Sequence, residues 1–364
     1  MQDESGVVCS RQATEVIPEF ENATPGGRVA VVTYAIRAGW RTFPGSGTMG
    51  PMRVTPSNPT VYIVGAGGQL GTALQDRSAG VPDTVVRPLT SADIDIADPT
   101  SVAAALGDLA PDDVVVNCAA YTDVDGAESD TEGARRVNTA GPEVLAARTA
   151  DAGAWLIHVS TDYVFPGTTD EGGRPSAGDG YEPDDVSGTP ATVYGRTKLD
   201  GERAALSADP RTTVVRTAWV YTGGPDSRDF VGTMRRLEQS RETVSVVDDQ
   251  LGSPTYSHDL ADGLWELVAG GARPEVAGAV LHATNSGSAT WFAVARGVFE
   301  EIGAGPDRVR PTTTAEFPRP APRPAYSVLS GRSWTAAGLT ALRPWRHALH
   351  AAIAASDAGT GSLP

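Results

Sequence analysis

A tyrosine and a lysine four positions apart, Tyr194 and Lys198, are the side chains in this sequence best suited to proton transfer. On a helix they lie on the same face, one turn apart. A free tyrosine has a pKa of about 10, and a neighbouring ammonium group lowers that pKa because it stabilises the phenolate. We therefore expect Tyr194 to donate a proton at neutral pH and Lys198 to tune it.

Lys198 is also the only lysine among the 29 lysine and arginine residues of the chain. Lysine offers three N–H donors, enough to hold the hydroxyls of a ribose, whereas arginine is larger, planar and hard to deprotonate. A lysine at this one position indicates a chemical requirement for an ammonium group. The alternative is an exposed helical pair without a role.

The glycine-rich segment 65–71 follows a short β-branched run and begins a helix-like segment. Gly65, Gly68 and Gly71 permit a tight turn, a close approach of the backbone to a ligand and close helix packing. With Gln69 and Leu70 they form a helix start, where free N–H groups bind pyrophosphate. This context predicts a dinucleotide site, and a turn that serves only packing is the alternative.

The acidic residue that binds the ribose in NAD-dependent sheets is missing at the end of the next strand, where Arg87 stands. An arginine at this point can accommodate the 2′-phosphate of NADPH. We therefore expect NADPH, with NADH and a merely solvated arginine as the alternatives. Asp95 and Ile96 follow at a place where adenine can rest.

Further predicted strands end in residues that face the crevice at the carboxyl ends of the strands, where a parallel α/β sheet binds its ligand. Thr161 follows the fourth apolar run, and its hydroxyl can hydrogen-bond a substrate carbonyl and the oxyanion that develops there. Capping of the next turn is the alternative for Thr161. Small residues between Asn117 and Thr122 let a cofactor lie against the backbone. Trp219 follows the fifth run, where it can wall a sugar site or pack in the core.

Short apolar runs alternate with helix-like segments, a pattern typical of parallel strands joined by crossover helices. The predicted fold class is α/β, a Rossmann-type doubly wound parallel sheet with a smaller C-terminal substrate-binding lobe. The expected strands are 61–64, 85–86, 114–116, 155–159, 213–215 and 244–247. The expected helices are a segment through residue 75, 101–109, one long helix through 137–152, 192–206, 230–239, 258–268, 291–302 and 345–355. The proline-rich segment 311–324 is expected to be a loop.

Composition divides the chain into four parts. Residues 1–59 are predicted to be a disordered extension. Alternatively, the start site is assigned too far upstream and Met49 or Met52 is the true first residue. Residues 60–220 are expected to form mainly the NAD(P)-binding domain, and 221–355 mainly the substrate-binding lobe, with some exchange of chain between them. Residues 356–364 read as a flexible tail.

Charge and composition exclude several classes of protein. The formal net charge of −16 argues against binding to nucleic acid or to an anionic membrane. Two cysteines cannot form a disulfide scaffold, which favours the cytoplasm. No apolar run is long enough for a transmembrane helix, and the N-terminus lacks the order of a signal peptide. The five histidines form no recognisable metal cluster with the cysteines.

Taken together, these residues resemble the extended short-chain dehydrogenase/reductase superfamily, and within it the dTDP-4-dehydrorhamnose reductase family. The resemblance covers about residues 60 to 355. Its motifs are 68–71, 117–125 with Ala127 and Glu128, Asn138, 160–165, 194–198 with Gly201 and Glu202, 216–221, 250–255 and 323–327.

The resemblance implies reduction of the C4 keto group of a dTDP-4-keto-6-deoxy sugar, most closely dTDP-4-dehydro-L-rhamnose, by NADPH. It implies that Tyr194 protonates the C4 oxygen, that Lys198 orients the nicotinamide ribose, and that Thr161 polarises the carbonyl. The implied cofactor contacts are Gly68, Gln69, Leu70, Asp95, Ile96, Ala120, Tyr121 and Thr122. The implied substrate contacts are Val124, Thr161, Asp162 and Trp219. Some members form magnesium-dependent dimers through glutamates that have no placed match here, so Mg²⁺ and the choice between monomer and homodimer stay open.

Four related activities are the alternatives. The first is a 4-ketoreductase of an antibiotic-sugar pathway, which shares most of these motifs. A sugar-nucleotide dehydratase carries Asp-Glu where this chain has Asp162-Tyr163. A 4-epimerase lacks the segments around Gln250 and Arg323. A non-catalytic NADP-binding regulatory subunit, like that of methionine adenosyltransferase, does not need the set Thr161, Tyr194 and Lys198.

Overall fold

The computed structural model describes residues 58–81, 84–167, 180–186 and 188–360. The extension expected over residues 1–59 lies outside this part of the chain up to residue 57. The last four residues of the expected tail, 361–364, lie outside it as well.

Twelve strands and eleven α-helices occur in the described residues. The strands are β1 (Thr60–Val64), β2 (Val85–Leu89), β3 (Val114–Asn117), β4 (Trp155–Thr161), β5 (Thr213–Thr217), β6 (Val220–Tyr221), β7 (Val244–Val247), β8 (Leu251–Gly252), β9 (Thr255–Tyr256), β10 (Val280–His282), β11 (Ala289–Thr290) and β12 (Val309–Thr312). The helices are α1 (Gln69–Arg77), α2 (Pro99–Ala105), α3 (Val124–Ala127), α4 (Thr131–Arg135), α5 (Gly141–Ala152), α6 (Val193–Ala208), α7 (Phe230–Ser240), α8 (Ser257–Gly270), α9 (Trp291–Glu301), α10 (Arg332–Ala336) and α11 (Trp345–Thr360).

A six-stranded sheet in the order β2-β1-β3-β4-β5-β10 organises the molecule. All five strand pairs in it are parallel. In β1, Val61 and Ile63 pack into one apolar cluster, and Tyr62 and Val64 pack into another. Because successive side chains point to opposite faces, a strand that is apolar throughout must be covered on both sides. The doubly wound α/β fold expected from the sequence is confirmed.

A third apolar cluster fills the space between α7, α9 and α11 and the small β7–β12 sheet. The carboxyl ends of the large sheet's strands meet at one edge, where open α/β sheets bind ligands. Among the described residues, no helix is both long enough and apolar enough to cross a membrane.

The structure adds the short elements β6, β8, β9, β11, α3, α4 and α10 to the expected ones, and four further departures are larger. The short strand β10 was not expected and extends the sheet beyond β5. The long helix is interrupted by a π-helical segment, Arg136–Ala140, before α5. Pro311 lies within β12 rather than in a loop, because a two-stranded sheet consists only of edges, where proline is tolerated. Helix α11 continues to Thr360, past the residue at which a tail was expected.

Candidate active site

The turn between β1 and α1 has the shape that the glycine pattern predicts. Gly65 has φ +82°, and a Cβ there would lie 2.6 Å from the backbone nitrogen of Ala119. A Cβ on Gly71 would lie 2.7 Å from Cα of Ala66, so helix and turn can touch only because both positions are glycine.

Helix α1 begins without any side chain that would occupy its N-terminus. Its N-cap, Gly68, makes no side-chain cap, and the first turn carries no acidic residue. The N–H groups around Gln69 and Leu70 therefore remain available to an anion. This arrangement fits the pyrophosphate of a dinucleotide.

Arg87 lies on β2, half exposed, with its guanidinium 3.4 Å from the hydroxyl of Tyr62 and 3.6 Å from the carboxylate of Asp108. Asp95 and Ile96 lie in the segment that leads from β2 to α2. Asp95 forms an ion pair with Arg136, and Ile96 is buried. Because β2 runs on to Leu89 and Arg87 lies opposite Tyr62 in the middle of the strand, the expectation that Arg87 stands at the strand end, where a 2′-phosphate would be bound, is wrong.

The loop that carries Ala120, Tyr121 and Thr122 lies between β3 and α3. The side-chain amide of Asn138 holds this loop through two hydrogen bonds to the backbone of Tyr121. Its Oδ1 accepts the N–H of Tyr121 at 2.8 Å, and its Nδ2 donates to the Tyr121 carbonyl at 3.1 Å. The same Nδ2 reaches Oγ1 of Thr197 on α6 at 3.2 Å, so the loop is tied to the helix that carries Tyr194.

Thr161, Tyr194 and Lys198 come together where α6 passes the end of β4. Thr192 caps α6 by accepting the N–H of Gly195 at 2.9 Å, which starts the helix one residue before Tyr194. The hydroxyl of Thr161 is close enough to that of Tyr194 to lower its pKa. The ammonium nitrogen of Lys198 donates to the carbonyl of Val159 at 2.8 Å.

Burial governs the proton affinities of this group. Burial raises the pKa of Tyr194 to about 12, against the hydrogen bond with Thr161, which lowers it. The expectation that Lys198 would lower the Tyr194 pKa is therefore wrong, because desolvation of the phenolate outweighs any nearby charge. Burial also lowers the pKa of Lys198 to about 8, and the Glu202 carboxylate opposes this shift. The phenol consequently stays protonated at neutral pH, as a proton donor must.

Three residues around Lys198 were not identified as functional from the sequence. His158 on β4 has its Nε2 3.3 Å from Nζ of Lys198, and its Nδ1 3.0 Å from Nδ2 of Asn117 on β3. Glu202 lies one turn after Lys198 and pairs with buried Arg216. For His158 the sequence does contain a signal, since it is a polar residue inside the otherwise apolar and buried run of β4.

Of the expected substrate contacts, Asp162 is hydrogen-bonded to Thr161, and Trp219 is held by a second tryptophan. Asp162 is buried, accepts the Thr161 hydroxyl at 3.0 Å, and has its pKa raised by burial to about 6. Trp219 has φ +46°, the one described non-glycine residue with positive φ. Its ring stacks on Trp291 at 3.6 Å, and a Cβ on Gly252 would lie 2.5 Å from it.

Val124 begins α3, the helix next to the cofactor loop. Its neighbour Asp125 pairs with Arg323 at 2.8 Å and accepts the N–H of Ala321 at 3.2 Å. Residues near 321–323 are thereby fastened to α3. Within the described ranges, no group of three or more His, Cys, Asp or Glu is arranged to hold a metal ion, so the Mg²⁺ suggested by resemblance has no such group there.

Comparison with known proteins agrees with this geometry. The model of the RmlD substrate-binding domain family matches residues 59–358. The chain is 55% identical over 298 residues to the dTDP-4-dehydrorhamnose reductase of Mycobacterium tuberculosis, covering 81% of this chain and 92% of that protein. It is 47% identical over 292 residues to a probable dTDP-4,6-dihydroxy-2-methyloxan-3-one 4-ketoreductase of Streptomyces antibioticus, covering 80% and 93%. The solved dTDP-4-dehydrorhamnose reductase of Bacillus anthracis, in complex with NADP, superposes with a TM-score of 0.72 at 32% identity, covering 82% and 99%.

Proposed function

This chain belongs to the RmlD substrate-binding domain family, and we therefore propose that it reduces the C4 keto group of dTDP-4-dehydro-L-rhamnose with NADPH to give dTDP-L-rhamnose. The observation that carries this proposal is the 55% identity to a dTDP-4-dehydrorhamnose reductase over 92% of that enzyme's length. The grouping of Thr161, Tyr194 and Lys198 at the end of β4 supports it.

Bound NADPH supplies the hydride that reduces C4. In this proposal the glycine turn with Gln69 and Leu70 holds its pyrophosphate on the N-terminus of α1. Lys198 holds the ribose through its N–H donors. Asp95, Ile96, Ala120, Tyr121 and Thr122 complete the cofactor contacts in this proposal.

At the sugar, the single O–H of Thr161 turns away from Asp162, to which it donates in this structure, and donates instead to the carbonyl, which it polarises as negative charge develops on the oxygen. Tyr194 then transfers its phenolic proton to that oxygen. Because the Thr161 hydroxyl acts on the Tyr194 phenol at close range, one oxygen atom can lie within reach of both in this proposal. Val124, Asp162 and Trp219 form the walls of the sugar site in this proposal.

A related dTDP-4-keto-6-deoxy sugar is the second candidate substrate. The 47% identity to the Streptomyces antibioticus ketoreductase favours it, since the motifs around the reacting groups serve both enzymes. We propose a cytoplasmic protein, monomeric or homodimeric, which light scattering on the purified full chain distinguishes.

The test is NADPH consumption with dTDP-4-dehydro-L-rhamnose generated in situ, with the product identified by mass spectrometry and NMR. Tyr194→Phe is expected to lower kcat by about 100-fold or more while NADP⁺ still binds. Tyr163→Phe is the matched control, because the Tyr163 ring packs edge-on against Tyr194 with ring centres 5.5 Å apart. In this proposal Tyr163 does not transfer its proton to the substrate. Turnover retained in Tyr194→Phe contradicts the proton-donor role. NADPH binding without consumption of any 4-keto sugar contradicts the enzymatic proposal and favours a regulatory subunit.

A further inference from the structure

The amide of Asn117 has only one possible orientation. The backbone N–H of Ala119 points at its side chain at 3.0 Å, and a backbone N–H can only donate. The atom that faces Ala119 must therefore be the carbonyl oxygen Oδ1. This directs the amide nitrogen Nδ2 of Asn117 toward the ring of His158.

The orientation of Asn117 in turn selects the tautomer of His158. Nδ2 of Asn117 donates to Nδ1 of His158 across 3.0 Å, so Nδ1 carries a lone pair and not a proton. A neutral imidazole then carries its proton on Nε2. Burial and the neighbouring Lys198 hold the pKa of His158 well below its ordinary value, which keeps the ring neutral.

The Nε2–H of His158 faces Lys198. Nε2 lies 3.3 Å from Nζ of Lys198, and both side chains are buried. A ring N–H can donate to the lone pair of a neutral amine, but it has no acceptor to offer an ammonium group. The contact is thus attractive when Lys198 is neutral and repulsive when Lys198 is charged.

The other groups around Lys198 do not cancel this bias. The Val159 carbonyl accepts one of its hydrogens, and the buried thiol of Cys118 has its pKa raised to about 12, so it stays neutral. Glu202 favours the ammonium form, but both of its oxygens are engaged by Arg216 at 2.9 and 2.7 Å. Tyr194 on the same helix is a neutral phenol at this pH.

We propose that Asn117 and His158 form a positioning pair that directs an imidazole N–H at Lys198 and thereby weakens the hold of Lys198 on its proton. Neither residue touches the substrate. The pair acts through Lys198. The chain of hydrogen bonds from Lys198 through His158 and Asn117 ends at the backbone N–H of Ala119, which donates but does not give up its proton, so the chain sets the proton affinity of Lys198 and does not conduct protons.

The consequence for catalysis rests on the proposed function. Deprotonation takes from Lys198 one of the three N–H donors with which it holds the ribose. We therefore expect kcat/KM for the keto sugar to decline on the alkaline side at a lower pH than a lysine of ordinary pKa would allow. Reversal of the His158 tautomer extends activity to higher pH.

The experiment uses the full chain and the fact that it has one lysine. Protein grown with lysine labelled with ¹³C at Cε gives one lysine resonance, and its shift is followed against pH. The expected midpoint is about 8, against about 10.4 for free lysine. Protein with ¹⁵N-labelled histidine reports the His158 tautomer at pH 7, with assignment from loss of the signal in His158→Leu. A midpoint of about 10, or a proton on Nδ1 of His158, overturns the proposal.

Asn117→Asp is the variant that should reverse the tautomer of His158. A carboxylate accepts both from Ala119 and from a proton on Nδ1 of His158, which leaves the Nε2 lone pair free to accept from an ammonium group. We expect the Lys198 midpoint to rise by about one pH unit or more, with the alkaline limb of kcat/KM following it.

The matched control is Asn117→Asp combined with His158→Leu, which keeps the added charge and removes the ring. An equal rise in both backgrounds refutes the tautomer mechanism and leaves only the charge. If the variants do not fold, the wild-type spectra decide alone. Because the spectra need no substrate, a protein without turnover but with a low Lys198 midpoint refutes the proposed function and not this inference.

Discussion

Removal of the negative charge at Glu202 tests how far the site depends on one buried ion pair. Arg216 donates from Nε to Oε1 at 2.9 Å and from Nη2 to Oε2 at 2.7 Å. The two side chains are only 4% and 3% exposed. Glu202→Gln keeps the shape, removes the charge and turns an amide NH₂ toward the guanidinium.

The expected loss of stability is about 3–5 kcal/mol, because the buried guanidinium then lacks a counter-charge. The remaining partners of Arg216 are the Pro183 carbonyl at 3.0 Å, Nε2 of His282 at 3.5 Å and the Phe165 ring at 5.1 Å, and none of them carries a negative charge. Glu300→Gln is the matched control, since Glu300 and its partner Arg346 are 41% and 40% exposed. An exposed pair contributes about 0–1 kcal/mol.

The assay is urea unfolding of wild type and both variants at pH 7, followed by circular dichroism. We expect the Glu202→Gln midpoint to fall clearly and the Glu300→Gln midpoint to stay near wild type. Equal losses in the two variants, or a loss below about 1 kcal/mol for Glu202→Gln, would refute the reasoning from burial. Glu202→Leu with Arg216→Met should recover much of the loss, because it leaves no unpaired charge.

Three further predictions concern the turn, the tryptophan pair and the buried acid. Gly71→Ala is expected to cost about 1–3 kcal/mol of stability in urea unfolding, because its Cβ would lie 2.7 Å from Cα of Ala66, whereas at Gly67 the nearest atom is 4.0 Å away and Gly67→Ala should be near neutral. Trp291→Ala removes the ring stacked on Trp219, so KM for the sugar nucleotide should rise while KM for NADPH stays constant; a change in NADPH alone contradicts this. Burial raises the pKa of Asp162 from 3.8 to about 6, so the folded chain binds a proton between these values that the unfolded chain releases. The Asp162 contribution to stability should therefore fall as pH rises from 4 to 6. Buried His158 and His282, whose pKa values are lowered, act in the opposite direction, so the contribution is read as the difference between the unfolding free energies of wild type and Asp162→Asn, which should shrink over this range.

Much of the fold follows from local sequence signals. Apolar β-branched runs, a glycine turn before a helix and a Tyr–Lys spacing all depend on residues close in the chain. They predict the parallel sheet, five of its six strands and the phosphate-binding turn, and the family expected from the motifs is confirmed. Strand β10 is not predicted by the sequence, because its three residues are too few to show a periodic pattern. These residues form a strand only because they pair with β5.

The electrostatics of the site depend on tertiary structure alone. Strand register brings Asn117 of β3 opposite His158 of β4, and packing of α6 then adds Lys198. Burial, which no spacing reveals, raises the Tyr194 pKa where the sequence predicts a lower one. The sequence by itself determined which residue types can do the chemistry and the local elements that carry them. The tertiary structure decided their proton affinities, because desolvation and long-range contacts exist only once the strands and helices are assembled.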